Sequence, residues 1–176
     1  MKKYELTDET IDVSGTTLHR IKALKDFGNV KKGELGGYVE SERNLSQEGN
    51  CWVYDNAKVY DNAEVYDNAK VYGKARVCDN AKVYGKARVC DNARVCDNAE
   101  VFGKADYITI KGLGSKYRNT TIFRTKENIA VKCGCFYGTL AEFVDKVKET
   151  HGNSKFAKEY LALIDLVKIH FELEDK

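Results

Sequence analysis

The sequence predicts a mainly β protein whose middle third is a stack of short strands. Three observations predict it. Valine falls at 53, 59, 65, 71, 77, 83, 89, 95 and 101 without a miss. Alanine follows four residues after each valine, from Ala57 to Ala105. Between each Val and Ala stands a turn dipeptide, Asp-Asn or Gly-Lys. Nine consecutive matches at one period mark a repeat architecture before any other reading.

The physics of one unit is readable in Ala57-Lys58-Val59-Tyr60. Side chains alternate faces along a strand, so Ala and Val point one way and Lys and Tyr the other. Asp61-Asn62 then turns the chain, since both residues tolerate unusual backbone angles. Gly-Lys does the same at 73–74, 85–86 and 103–104. The small Ala sits beside each turn, where a corner leaves little room inside. One such strand cannot bury its Val and Ala alone, but stacked coils can.

This run resembles the hexapeptide-repeat family. The resemblance implies a left-handed parallel β-helix of triangular section, with three hexads per coil. A bulky Tyr, Cys or Phe follows each Val, where that family often has Gly, but this position points outward. Residues 18 apart then stack at about 4.8 Å, and the repeat rises about 14 Å. One outward column carries Lys58, Arg76 and Arg94 beside Tyr60, Cys78 and Cys96. A second carries Glu64, Lys82 and Glu100 beside Tyr66, Tyr84 and Phe102. The third carries Lys70, Arg88 and Asp106 beside Tyr54, Tyr72 and Cys90.

The whole chain is expected to be this β-helix with an N-terminal β cap and a small C-terminal α+β module. The expected divisions are 1–51 for cap and ramp, 52–106 for the repeat and 107–176 for the module. In the cap, Thr10 to Val13 and Thr16 to Leu24 read as strands around Ser14-Gly15. His19 lies there as a surface or half-buried strand residue, and Lys22 to Lys32 is a basic, solvated stretch. Gly36-Gly37 permits a tight bend, and Val39, Leu45 and Cys51 are the first inward residues. An open β-helix end exposes unpaired strand groups, so 1–51 reads as its plug. The run GELGGYVE…NLSQEGNCWV followed by YDNAKV resembles hexapeptide-repeat proteins common in bacteriophage and prophage genomes.

In the module, 107–110 reads as a strand and Lys111 to Asn119 as a glycine-bearing basic loop. Residues 120–124 and 129–133 form a hairpin. Thr139 to Glu142 is a capping box opening a helix with Leu140, Phe143, Val144 and Val147 on one face. Gly152 ends that helix. A second helix runs from Ser154 to about Phe171, with Phe156, Tyr160, Leu161, Ile164, Val167 and Phe171 apolar. Gly114-Ser115, Arg118-Asn119, Gly134 to Thr139 and Thr150 to Gly152 resemble a C-terminal module of phage-encoded relatives, with Lys116-Tyr117 as a departure.

Composition narrows the function. Lysines and arginines number 29 against 27 acidic side chains, for a net charge of +2. That balance argues against general nucleic-acid or polybasic membrane binding. No apolar run approaches a membrane span. The start, MKKYELTDET, is not a signal peptide, and six cysteines without one suggest reduced thiols in a cytoplasm.

Hexapeptide-repeat acyltransferases use a histidine as general base. The repeat has none, since His19, His151 and His170 lie outside it. The zinc-dependent carbonic-anhydrase branch needs three histidines, which are missing from the coils. Cys133-x-Cys135 is a weak metal signal that His151 could join, and a packed thiol pair is the favoured reading. No metal and no cofactor are expected. Cys78 and Cys96 stack closely enough for a disulfide, but the compartment argues for thiols.

Candidate ligand contacts are therefore anionic ones. Lys116 and Arg118 add charge to a glycine-freed backbone, with Ser115, Asn119, Thr120 and Thr121 beside them. The column Lys58, Arg76, Arg94 repels itself unless an anion or acidic partner meets it. Tyr66, Tyr84 and Phe102 offer flat aromatic area for a subunit contact, the C-terminal module or a stacked ligand. The expected protein is non-enzymatic, countering host defence by sequestering a phosphate-bearing nucleotide or a host protein. The alternatives are an acyltransferase with His151 or His170 as base, and a structural assembly protein. A homotrimer is implied by the family's three-fold packing.

Overall fold

An antiparallel hairpin opens the chain and leads directly into the coils. The protein is described from a computed structural model over residues 2–103 and 106–173, in two units that divide between residues 104 and 105. Strand β1 (Tyr4–Val13) turns at Ser14-Gly15, both with positive φ, into β2 (Thr16–Ala23). β2 pairs antiparallel with β3 (Leu35–Val39).

From β3 through β12 the pairing along the chain's coils is parallel. The repeat supplies nine two-residue strands: β4 (Trp52–Val53), β5 (Lys58–Val59), β6 (Glu64–Val65), β7 (Lys70–Val71), β8 (Arg76–Val77), β9 (Lys82–Val83), β10 (Arg88–Val89), β11 (Arg94–Val95) and β12 (Glu100–Val101). They form three sheets, one per face. The first face runs β1-β2-β3-β5-β8-β11, the second β12-β9-β6 and the third β10-β7-β4. Val59, Val77 and Val95 lie in register, as do Val65, Val83 and Val101. Every repeat valine and every described repeat alanine is at most 1% exposed. The observed architecture is therefore the expected parallel β-helix. Lys104 and Ala105, the fourth and fifth residues of the ninth hexad, lie outside the described residues.

The corners explain the dipeptides. Asp55, Asp61, Asp67, Asp79, Asp91 and Asp97 all hold positive φ, between 54° and 60°. Asp and Asn are the residues besides Gly that enter this region readily. Their carboxylates also clip coil to coil. Asp55 accepts from the Gly73 N–H at 3.0 Å, Asp61 from Asp79 at 3.3 Å, Asp67 from Gly85 at 3.1 Å and Asp79 from Asp97 at 3.1 Å. Asparagine amides link one coil to the next at Asn50–Asn68, Asn62–Asn80 and Asn80–Asn98.

The helical path starts earlier than the repeat. Tyr38 pairs with Lys58, twenty residues on, where the repeat step is eighteen. A 3-10 turn, Glu42–Asn44, takes up the difference. Buried Asn44 donates to the Asp61 and Ala63 carbonyls at 3.0 and 2.9 Å, standing in for strand pairing. Val39, Leu45 and Cys51 are fully buried, as expected. Gly36 and Gly37 do not bend the chain. They lie inside β3, where a Cβ would stand 2.5 Å from the carbonyl oxygens of Val53 and Ala57.

The third column differs from expectation at both ends. Trp52, not Asp106, completes it with Lys70 and Arg88. Tyr4 and Phe27 pack edge-on against the indole and bury it completely. Asp106 belongs to the second unit, where its carbonyl accepts the Arg124 N–H at 2.9 Å and its carboxylate pairs with Arg124.

The second unit is an antiparallel sheet, β13 (Tyr107–Leu113), β14 (Arg118–Arg124), β15 (Ile129–Cys133) and β16 (Phe136–Thr139), backed by α1 (Leu140–His151) and α2 (Lys155–His170). The basic loop is shorter than the sequence suggests, because Lys111 pairs with Asn119 and only residues 114–117 turn. Strand β16 was not anticipated. Its last residue, Thr139, is itself the helix cap, and Gly138 breaks the apolar alternation. The Thr139–Glu142 capping box forms as expected. The core joins Ile122, Val131, Phe143, Val147, Ile164 and Val167. On α2, Leu163 rather than Leu161 is buried. No helix among the described residues is long and apolar enough to cross a membrane.

Candidate functional site

A cleft of about 550 Å³ opens in the second unit, and the turns of the sheet build it. Ser115, Lys116 and Arg118 come from the β13–β14 turn, Cys133 and Cys135 from the β15–β16 turn, and Thr150, His151 and Tyr160 from the helices. Gly134, at φ 61°, makes room for Arg118: a Cβ there would stand 2.5 Å from Arg118 Nη1. The guanidinium is thus laid over bare backbone.

The floor of the cleft is a buried polar chain. The Tyr160 hydroxyl donates to the Leu113 carbonyl at 3.3 Å and meets Cys133 Sγ at 3.6 Å. Thr120 Oγ1 donates to Cys133 Sγ at 3.2 Å. The Gly114 N–H donates to Glu159 Oε2 at 3.1 Å, tying the basic turn to α2. Burial, helped by the bond to Cys133, pushes the Tyr160 phenol up to about 12. The ring of half-buried His151 stacks on that of Tyr160, with centroids 5.8 Å apart, and Phe156 packs on the imidazole. Two aromatic rings therefore fix the imidazole at the rim.

The expected contacts divide. Ser115, Lys116 and Arg118 share the cleft. Asn119 lies half-buried on β14. Thr120 and Thr121 are buried, their hydroxyls bonded to Cys133 and Thr109. Cys133 and Cys135 do not pack as a pair. Cys133 is buried under Tyr160, while Cys135 sits exposed in the turn. Tyr160 was read from the sequence only as a core residue of α2, because its helical spacing is that of a core position.

Two outward columns of the first unit, on the first and second faces, form as expected. Lys58, Arg76 and Arg94 stand in register, and burial followed by Arg76 lowers the pKa of Lys58. Tyr38 heads this ladder, with Arg20 over its ring and its hydroxyl donating to Glu9. Tyr66 and Tyr84 stack at 4.9 Å and 8°, and Phe102 tilts against Tyr84 with 59% of its surface exposed. Tyr54 and Tyr72 stack likewise on the third face.

No family model matches the chain. The chain is 39% identical over 67 residues to YdcK of Escherichia coli (strain K12), a protein named as an uncharacterized acetyltransferase. The match covers 34% of this chain and 21% of that protein, so it spans about a fifth of the relative's length. It corrects the expectation of a non-enzymatic protein, because the relative carries an enzyme's name. Among the functions weighed, it favours acyl transfer over nucleotide sequestration. The match and the stacked hexads together fit a hexapeptide-repeat β-helix.

Proposed function

We propose that the protein is an acyltransferase of the hexapeptide-repeat type that uses the cleft of its second unit, with His151 as general base. One observation carries this reading: the cleft gathers an imidazole and three cationic side chains, Lys116, Arg118 and Lys146, around one cavity. His170, the other candidate, is exposed at the end of α2 and does not line that cavity.

The chemistry follows from the groups. A neutral imidazole takes the proton of an acceptor hydroxyl or amine as that atom attacks a thioester carbonyl. The new bond forms, the carbon–sulfur bond breaks, and the carrier leaves as a thiol. Lys116 and Arg118 hold the carrier's phosphates, Arg118 in the planar manner a guanidinium favours. Ser115 adds a hydroxyl beside them. The coils act as scaffold, and the column of half-buried Tyr66 and Tyr84 with exposed Phe102 forms the contact of a homotrimer. A native mass spectrum at three times the chain mass supports that assembly, and a monomer removes it.

Calorimetry with acetyl-coenzyme A, followed by a transfer assay on hydroxyl and amine acceptors, tests the reading. His151→Ala should lower the rate about 100-fold or more while leaving donor binding in place. Arg118→Ala should weaken donor binding, and His170→Ala should change neither. An unchanged rate after His151→Ala overturns the role of His151. No binding of the donor overturns the function.

A further inference from the structure

We propose that Cys78, Asp79 and Cys96 form a binding site for a thiophilic divalent cation such as zinc, on a corner of the first unit. The two cysteines replace tyrosine at the outward position after valine, and the repeat puts them in successive coils. The Sγ atoms of both and a carboxylate oxygen of Asp79 all lie within 4.8 Å of one another. Zinc bonds sulfur at about 2.3 Å, so two sulfurs on a tetrahedral ion stand about 3.7 Å apart. Small side-chain rotations close that gap without moving the backbone.

The carboxylate is held for the task. Asp79 Oδ2 accepts the Asp97 N–H at 3.1 Å, which fixes it between the two coils. The Cys78 thiol already points at that oxygen, with Sγ 3.5 Å away. A bound ion takes the place of that thiol proton. Binding forms two metal–sulfur bonds and one metal–oxygen bond, and releases two protons to solvent. Two thiolates and a carboxylate on a dication leave one net negative charge. Arg76 and Arg94 stand on the same face, two residues before each thiol, and offset it. Cys96 is buried and Cys78 half-buried, so one side of the ion is sealed and its fourth position faces solvent. That arrangement suits zinc or cobalt(II) better than calcium or magnesium, which take oxygen ligands.

The molecule contains its own control. Cys90 makes the same contact to Asp91, at 3.3 Å, on the third face. Its neighbour one coil back is Tyr72, and among the described residues no second thiol joins the group.

Cobalt(II) titration of the full chain, reduced with a phosphine and stripped of metal, tests the site. One equivalent should produce a sulfur-to-cobalt charge-transfer band that zinc abolishes. Cys78→Ser and Cys96→Ser should each remove the band, Asp79→Asn should weaken binding, and Cys90→Ser should leave the titration unchanged. Zinc should raise the melting temperature of the wild type and of Cys90→Ser but not of Cys78→Ser. Position 78 is tyrosine in the preceding coil and half-exposed, so Cys78→Ser keeps the test valid if Cys96→Ser fails to fold. The proposal is overturned by a wild type without the band, or by a band lost only in Cys133→Ser or Cys135→Ser. A Cys78–Cys96 disulfide surviving the phosphine overturns it as well.

Discussion

The two units hold themselves together in opposite ways. In the first, a residue meets its own counterpart from the next coil. Val59 meets Val77, Asn62 meets Asn80, Tyr66 meets Tyr84. Each interaction is made again one coil later, so the unit is a sum of near-identical steps. In the second, unlike residues converge once. Phe143 of α1, Tyr160 of α2 and Cys133 of β15 meet at one point with no copy elsewhere among the described residues. The difference teaches where sites arise. Repetition makes flat faces with columns of like side chains. Concavity needs irregular pieces, and the large cleft lies where two turns and two helices of the second unit meet.

The strongest break in this comparison is a charge inside the column. Val77→Asp buries a carboxylate between Val59 and Val95, at a cost of several kcal/mol. Hydrogen exchange over 53–101 should rise throughout, since neighbouring coils lose their partner faces. Protection confined to a loss at the altered coil alone would show that the steps are independent rather than coupled.

Smaller effects sharpen the contrast between repeated and single polar contacts. Asp61→Ala removes one clip of a series and also places alanine at a positive φ of 56°. Thr139→Ala removes the cap of α1, which belongs to no repeating series. Each should cost about 1 kcal/mol, read from urea midpoints. Asp61→Gly separates the two terms at the corner: it loses the clip but keeps the backbone freedom, and should cost less than Asp61→Ala.

The smallest effect is a pH dependence. An exposed tyrosine ionises near 10, and Tyr160 is held neutral up to about 12 by burial and then by Cys133. Its contribution to stability is fully present below pH 10 and is lost as pH rises from 10 to 12. Tyr160→Phe should therefore melt with a shallower decline across that window than the wild type. Equal slopes in the two proteins would show that the buried phenol is not the titrating group. Tyr54, pushed to about 12 by burial and by Tyr72, adds a parallel decline in the first unit.

How much could be read in advance tracks the same division. The in-register columns, the inward Val39, Leu45 and Cys51, and the Thr139 cap all follow from local spacing. The early start of the coils at Tyr38 did not, because Asn44 and a 3-10 turn replace the hexad with a pattern that occurs once. Asp106 fell outside its column because the eighteen-residue count continues past the point where the pairing changes to Arg124. In the candidate site, Ser115, Lys116 and Arg118 were visible as a basic turn. Their grouping with His151 and Tyr160 joins residues more than thirty positions apart across α1 and α2, and no short-range pattern encodes it.

By itself the sequence determined the coil. Period six, with two residues per strand and a left-handed-tolerant residue at each corner, admits one way to bury Val and Ala. It also determined which side chains share a column, because eighteen residues bring the chain back over itself. Only the tertiary structure decided that Trp52 is sealed under Tyr4 and Phe27, that Arg118 lies over Gly134, and that His151 rests on Tyr160. Those contacts depend on how unlike elements pack. The energy of such packing belongs to the assembled surfaces and not to any spacing along the chain.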